Sequence, residues 1–460
     1  MSAAGPSQGA RPLRGRRRAA PLRGDHARAN VAVVGGGYAG FAAAVTLAAA
    51  GRQVVVFEAA RTLGGRGRRV DAFGTHVDNG AHILLGAYRQ TLALLRDVHG
   101  PGAEHELLDR RRLVLEQPGV FRLRTPALPA PWHLAAGLLS MRGVSRHERL
   151  RTVAFVRRLQ RGAFACAPQL SVAELLADQP AAIVAMLWEP LCLTALNTPT
   201  ATASAQIFLN VLRLAFAGSA RDSDLLLPRV DLSTLFPDAA AAFVTDRGGE
   251  IHMGTTVGAI AGDAAGVAIT AGYAEQRFAA AVIAVGPHQL ARVFAPRMVT
   301  GAVAHALELI AGFAYEPITT VYLQYPHALG LALPMFKLDG APGQWVFDRG
   351  ALGGPTGLAS VVISTESVHA RIAHATLAQA IDVQLRRAWP QLPAPVWTQV
   401  IAERRATYAC TADLQRPAAA LLAPHLYLAG DYTDTELPAT LEAATRSGVA
   451  AARLLLATHS

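Results

Sequence analysis

Val31-Ala32-Val33-Val34-Gly35-Gly36-Gly37-Tyr38-Ala39-Gly40 leads into the alanine-rich run Phe41 to Ala50, then Gly51, then Val54-Val55-Val56-Phe57-Glu58. The order reads as strand, glycine turn, helix and a second strand ending in an acid. Gly35 permits the tight turn, Gly37 lets the backbone approach a pyrophosphate, and Gly40 lets the helix pack close to the sheet. Tyr38 and Ala39 open the helix, where free N–H groups and a partial positive charge favour phosphate. Glu58, 18 residues beyond Gly40, stands where an acid accepts hydrogen bonds from a ribose. A glycine-rich turn in an ordinary α/β unit leaves that acid unexplained, so the stretch reads as a dinucleotide site.

Working outward, Glu58-Ala59-Ala60 is soon followed by Leu63-Gly64-Gly65-Arg66. This second glycine pair with its Arg resembles the second motif of the amine oxidase and phytoene desaturase superfamily of flavoproteins. The resemblance implies that Gly65 runs beneath a flavin diphosphate with Arg66 near the phosphates. It therefore implies FAD and not a nicotinamide.

Further on, Asp78-Asn79-Gly80-Ala81-His82-Ile83-Leu84-Leu85-Gly86-Ala87-Tyr88 begins with a turn signal, and by itself reads as a surface hairpin. The block is similar to one in the hydroxysqualene dehydroxylases, FAD enzymes of the same superfamily, which usually have Gln at the position of Ala81. Two later blocks carry the same resemblance: Trp188-Glu189-Pro190-Leu191-Cys192 with Ala195-Leu196-Asn197-Thr198, and Ser223-Asp224 through Arg229-Val230-Asp231-Leu232-Ser233. Read without it, Trp188 is a core residue, and Asp224, Arg229 and Asp231 form a charge cluster at a domain hinge.

Near the end, Leu426-Tyr427-Leu428-Ala429-Gly430-Asp431 reads as a strand into a turn, with a helix after Pro438. In the superfamily the equivalent of Asp431, which follows the cofactor-binding Gly430, bonds the flavin ribityl or phosphate region. The resemblance implies that the helix start at Thr440 and Leu441 faces the isoalloxazine carbonyl, and that Val257 contacts adenine through its backbone. The resemblance spans roughly residues 30 to 455.

The expected architecture is α/β: a discontinuous, Rossmann-like, doubly wound FAD domain from 30–95, 225–310 and 400–456. An α+β substrate domain is inserted as 96–224 and 311–399. Residues 96–224 read as helical throughout, and 311–399 as strands followed by a helix.

Composition sets further bounds. The chain has 460 residues with 52% hydrophobic content, enough for two domains. Its net charge of +10 is concentrated in residues 1–29, with seven arginines against one aspartate and no apolar periodicity. That segment reads as a disordered tail, neither a secretory signal nor a nucleic-acid arm. Three scattered cysteines fit a reducing, cytoplasmic compartment, and no His/Cys spacing suggests a metal. No apolar run is long enough to span a membrane. Trp132 to Met141 followed by Arg142, Arg146, Arg149, Arg151, Arg157, Arg158 and Arg161 allows peripheral contact at the inner membrane face.

The resemblance implies reduction of hydroxysqualene, a hydrophobic triterpene alcohol, to squalene by hydride from reduced flavin. Asp78, His82, Asp224 and Asp231 are the candidate acids for its hydroxyl, in no fixed order. Only one dinucleotide fingerprint is visible, which leaves the electron donor unidentified. A phytoene-type desaturase, another flavoenzyme of the amine oxidase superfamily and a flavoprotein without catalysis are the competing readings.

Overall fold

The computed structural model describes residues 30–365, 372–418 and 421–459. The Arg-rich segment 1–29 lies outside the described residues.

The four residues Val31–Val34 form the centre of a six-stranded sheet. They pair in parallel with Val54–Phe57 on one side and Ala280–Ile283 on the other. Glu250–His252 extends the sheet beyond Val54–Phe57, and Leu426–Leu428 beyond Ala280–Ile283, both in parallel. Leu421–Ala423 closes that second edge, antiparallel to Leu426–Leu428. Every residue of the two central strands is buried, so the runs are apolar without alternation, as a sheet covered on both faces requires.

The two faces are covered differently. Val31, Val33, Val54 and Val56 point to the helix Tyr38–Ala49, which is itself backed by the last helix, Leu441–Thr458. Ala32, Val34, Val55 and Phe57 point instead to a three-stranded antiparallel sheet of Val257–Asp263, Gly266–Ala271 and Ala274–Phe278. The helix Tyr38–Ala49 is apolar on all sides because it is packed on all sides. A Cβ on Gly40 would stand 1.9 Å from the Gly35 carbonyl oxygen, and one on Gly448 would stand 2.1 Å from that of Ala39. Glycine is required at both crossings by close approach.

A second, five-stranded antiparallel sheet runs in the order Met335–Lys337, Trp345–Asp348, Leu358–Ser364, Tyr315–Gln324, Trp397–Tyr408. Its alternation assigns two faces. Val321, Leu323, Val346, Val361 and Ile363 pack under the helix His374–Ala388. Ile318, Trp345, Phe347 and Val362, on the other face, look toward the first domain across a cavity.

Several of the expected borders fall inside secondary-structure elements. The 95/96 border falls inside the helix Arg89–His99, 310/311 inside Gly301–Ala311, and 399/400 inside the strand Trp397–Tyr408, which pairs with Tyr315–Gln324 along its length. The stretch 96–224 is not all helical. Leu108–Arg111 pairs with Leu225–Pro228, which also holds Leu84–Leu85, and Val114–Gln117 pairs with Phe121–Arg124. Charged residues in Leu108-Asp109-Arg110-Arg111 mask a strand whose partner is more than a hundred residues away. The short Phe121–Arg124 strand, in contrast, alternates buried and solvent-facing residues as a strand should.

Candidate functional site

A cavity of about 610 Å³ lies between the carboxyl ends of the parallel strands and the open face of the second sheet. That is the crevice where ligands of open α/β sheets bind, and its size suits an organic cofactor with part of a substrate.

The cavity floor is made of backbone. Gly64 N–H donates to the Gly36 carbonyl at 2.8 Å, and a Cβ placed on Gly65 would lie 3.3 Å from Gly37 Cα. Two glycine segments thus run side by side with no side chain between them. Gly35 has φ +113° and Gly65 φ +63°, conformations that favour glycine. The helix Tyr38–Ala49 starts at Gly37 with no side-chain cap and no acid in its first turn. Its leading N–H groups remain for an anion.

Glu58 ends its strand with its carboxylate held from behind. Oε2 accepts from Gly36 N–H at 2.6 Å and Oε1 from Ala60 N–H at 2.7 Å. The remaining lone pairs can receive a diol. Ala59 and Val257 line the same end, with Val257 opening a strand of the antiparallel sheet. At the other end the Arg66 guanidinium pairs with Asp431, whose turn begins at Gly430, and also donates to the Ala406 carbonyl at 3.0 Å. Thr440 and Leu441 complete this wall at the start of the last helix, where Thr440 Oγ1 accepts from Ala443 N–H at 3.1 Å.

A bare backbone cradle, an uncapped helix, an acid at one end and a guanidinium–carboxylate pair at the other suit a dinucleotide of the flavin type. Gly35, Gly37, Tyr38, Ala39, Glu58, Ala59, Gly65, Arg66, Val257, Gly430, Asp431, Thr440 and Leu441 all line this cavity. Gly40 does not. It serves the helix–turn packing described above.

The four candidate acids are not brought together. His82 alone lines the main cavity. Its Nδ1 lies 2.8 Å from the Gly80 carbonyl oxygen, which can only accept, so Nδ1 carries a proton and Nε2 is the exchangeable site. Burial first, then the nearby Arg66 charge, lower its pKa, against the raising effect of the Gly80 bond.

Asp78 is no surface turn. It is 5% exposed, Oδ1 accepts from Leu232 N–H at 2.7 Å, and burial pushes its carboxyl up to about 7. It borders a separate cavity of about 240 Å³ with Asp231, Arg229, Arg349 and Tyr322. Asp231 caps the helix Leu232–Leu235, accepting from Thr234 N–H at 2.9 Å and from Thr234 Oγ1 at 2.7 Å. Asp224 is bound to Arg110 at 2.9 Å and lies outside both cavities. Of the candidate acids, Asp78 and Asp231 thus border the separate cavity and Asp224 neither, each holding backbone or a cation where it stands. Trp188 is buried in the core against Phe155, with ring centroids 5.4 Å apart.

Two further residues of the cavity were not among the candidates from sequence: His288, and Asn197, which was quoted only within a block of resemblance. His288 follows the buried strand Ala280–Ile283, with Nδ1 buried and unpartnered and its ring edge-on to Tyr315. Burial, then Arg405 and Arg66, lower its pKa. Its position at the carboxyl end of a central strand was a usable signal. Asn197, in the left-handed conformation at the end of the helix Glu189–Leu196, donates to Thr407 Oγ1 at 2.9 Å and accepts from Thr365 N–H at 3.0 Å. It ties that helix to the second sheet. Among the described residues no group of three or more His, Cys, Asp or Glu is placed to hold a metal, and no helix is long and apolar enough to cross a membrane. All three cysteines are free.

Comparison with known proteins agrees with this geometry. The family model described as flavin containing amine oxidoreductase matches residues 38–456. A hydroxysqualene dehydroxylase from Rhodopseudomonas palustris is 29% identical over 93% of this chain and 98% of its own length. One from Zymomonas mobilis is 27% identical over 93% and 99%. Among solved structures, an oxidoreductase from Methanosarcina mazei superposes with a TM-score of 0.69 at 15% identity, over 92% of this chain and 99% of that one. With the cradle, the acid and the family match in agreement, the chain is an FAD-dependent member of the flavin-containing amine oxidoreductase family.

Proposed function

We propose that this protein reduces hydroxysqualene to squalene. The supporting observation is one cavity with two unlike walls. On one side is the glycine cradle with Glu58, Arg66 and Asp431. On the other, Ile318, Trp345, Phe347 and Val362 present an apolar surface suited to a polyene. The similarity to hydroxysqualene dehydroxylases along nearly their whole lengths supports the same reading.

The overall change adds one hydride and one proton and releases water: the C–O bond breaks, a C–H bond forms, and the substrate is reduced by two electrons. Reduced FAD, when bound, supplies the hydride. The chain's residues bind, orient and exclude water. The aromatic and aliphatic side chains of the second sheet hold the hydrocarbon and keep the site dry. The leaving oxygen needs a proton, and His82 Nε2 is the exchangeable site among the candidate acids that lies in this cavity. One dinucleotide cradle is found among the described residues, which supports a separate partner as the electron donor. Three reduced cysteines and a water-insoluble substrate support a cytoplasmic enzyme working at the inner face of a membrane.

The test is an anaerobic reaction of purified, FAD-loaded protein with a chemical reductant and hydroxysqualene, with squalene followed by mass. Squalene formed in proportion to flavin oxidised is the expected result. Bound, reduced flavin with no squalene would overturn the proposal.

A further inference from the structure

The helix Arg146–Arg161 buries Thr152, Phe155, Val156 and Leu159. Its opposite face exposes Arg146, Leu150, Arg151, Arg157, Arg158 and Arg161. A soluble surface helix ordinarily mixes both signs on its wet face. This face carries no acid. The one carboxylate of the helix, Glu148, is spent on its capping box, accepting from Ser145 N–H at 2.7 Å. Among the described residues Arg142, Arg146, Arg157 and Arg161 form no ion pair, while Arg158 reaches Asp178 only at 3.8 Å.

Beside these charges stand apolar tips. The helix Trp132–Leu139 packs on Arg146–Arg161, and Arg149 donates to the Leu139 carbonyl at 3.3 Å. Trp132 is 61% exposed, Leu150 60%, Leu139 45% and Leu128 43%. An exposed indole and three leucines among arginines, of which Arg142, Arg146, Arg157 and Arg161 form no ion pair among the described residues, form a surface with two demands: apolar cover and negative charge.

We infer that the face formed by residues 128–161 docks on an anionic lipid surface. Trp132, Leu128, Leu139 and Leu150 enter the headgroup boundary, and the arginines meet lipid phosphates. Charge complementarity selects anionic over neutral lipid, and the indole suits the interface between water and hydrocarbon.

The docked face is connected to the cavity. Phe155, on the buried side of the same helix, packs edge-on against Trp188. Trp188 directly precedes the helix Glu189–Leu196, whose last turn lines the cavity through Thr194 and Ala195. Two layers of packing thus separate lipid from the site, which sets the site close to a substrate dissolved in the bilayer. That last point rests on the proposed function; the docking itself does not.

The experiment is flotation of the full, FAD-loaded chain with vesicles of phosphatidylcholine alone and of phosphatidylcholine with phosphatidylglycerol in equal parts. The expected result is binding to the anionic vesicles only. The triple variant Arg146→Glu, Arg157→Glu, Arg161→Glu should weaken it by about tenfold or more. A control of equal charge change on other exposed arginines, Arg297→Glu, Arg387→Glu and Arg453→Glu, should alter it by less than about twofold. Unchanged far-UV dichroism and flavin absorbance confirm that both variants are folded. Brominated lipid should quench part of the tryptophan emission, and Trp132→Phe should remove that part.

Equal loss in the test and control variants would reduce the effect to net charge and overturn the proposal. Full binding by the test variant would overturn it too, moving the contact to another basic segment such as residues 1–29. None of these readouts depends on squalene formation, so the docking surface and the proposed reaction fail or stand separately.

Discussion

Asp78 shows what a single buried carboxyl does to this protein. Its folded value of about 7 lies above the ordinary carboxylate value of 3.8, chiefly because burial disfavours the charge. A raised acid binds its proton more tightly when folded. Its contribution to stability is therefore fully present below the unfolded value and is lost as pH rises through about 7. Asp78→Asn keeps an acceptor for Leu232 N–H and abolishes the titration. Relative to the parent, the variant should gain about 2–3 kcal/mol between pH 5 and pH 8, read by chemical denaturation at each pH. A constant difference across that range would show that Asp78 is not the titrating group. His82 makes a second prediction at this scale, through rate. Its lowered pKa leaves the imidazolium a minority species at neutral pH. If Nε2 delivers the proton, kcat should fall about tenfold per unit of rising pH above that pKa. In His82→Gln both the slope and about 10²-fold of kcat should vanish while flavin absorbance is retained. A variant that loses rate but keeps the slope would assign the proton to another group, of which His288 is the nearest in kind.

Elements set where those residues stand, and here the sequence was legible only where the physics is local. The strand–turn–helix at Val31–Ala49 could be read because glycine spacing, an apolar run and an acid fall within thirty residues. The structure forms each piece where the pattern puts it. Asp78 could not be read. Its neighbours Leu232, Tyr322 and Arg349 come from three distant segments, and their convergence turns a surface turn signal into a buried carboxyl. The strand Leu108–Arg111 was missed for a similar reason, its partner being Leu225–Pro228, whereas the hairpin of Val114–Gln117 and Phe121–Arg124 is local and its alternation was overlooked. Gly448 tests the crossing of the first and last helices, which no local pattern announced. A methyl group there would lie 2.1 Å from the Ala39 carbonyl oxygen and 2.9 Å from Ala42 Cβ. Gly448→Ala should cost about 2 kcal/mol or more and weaken FAD binding, because Ala39 belongs to the cradle. Gly312→Ala, where the nearest atom would be 3.5 Å away, should change stability by less than about 0.5 kcal/mol. Equal effects in the two variants would show that the helices separate freely.

The molecule as a whole is held together around its cavity. Walls come from residues as far apart as Val34 and Ala444, and the two sheets meet there. The strand Trp397–Tyr408 belongs to the second sheet, yet its Glu403, Arg405, Ala406 and Thr407 border the cavity lined by the glycine cradle. The Arg66 guanidinium spans the seam directly, bonding Asp431 of one domain and the Ala406 carbonyl, from a strand of the other. A ligand filling this space binds both domains at once and has no equivalent site in the unfolded chain. Its binding energy is then folding energy for both, about 2.7 kcal/mol at a free concentration one hundred times its Kd. Calorimetry across a range of added FAD should show one cooperative transition whose midpoint rises with concentration. In Arg66→Ala, which cuts the seam, the transition should broaden or split, and its dependence on FAD should weaken. Two transitions in the parent protein, only one of them moving with FAD, would mean that the cofactor is held by the first domain alone. The second sheet would then close over it without contributing to its binding.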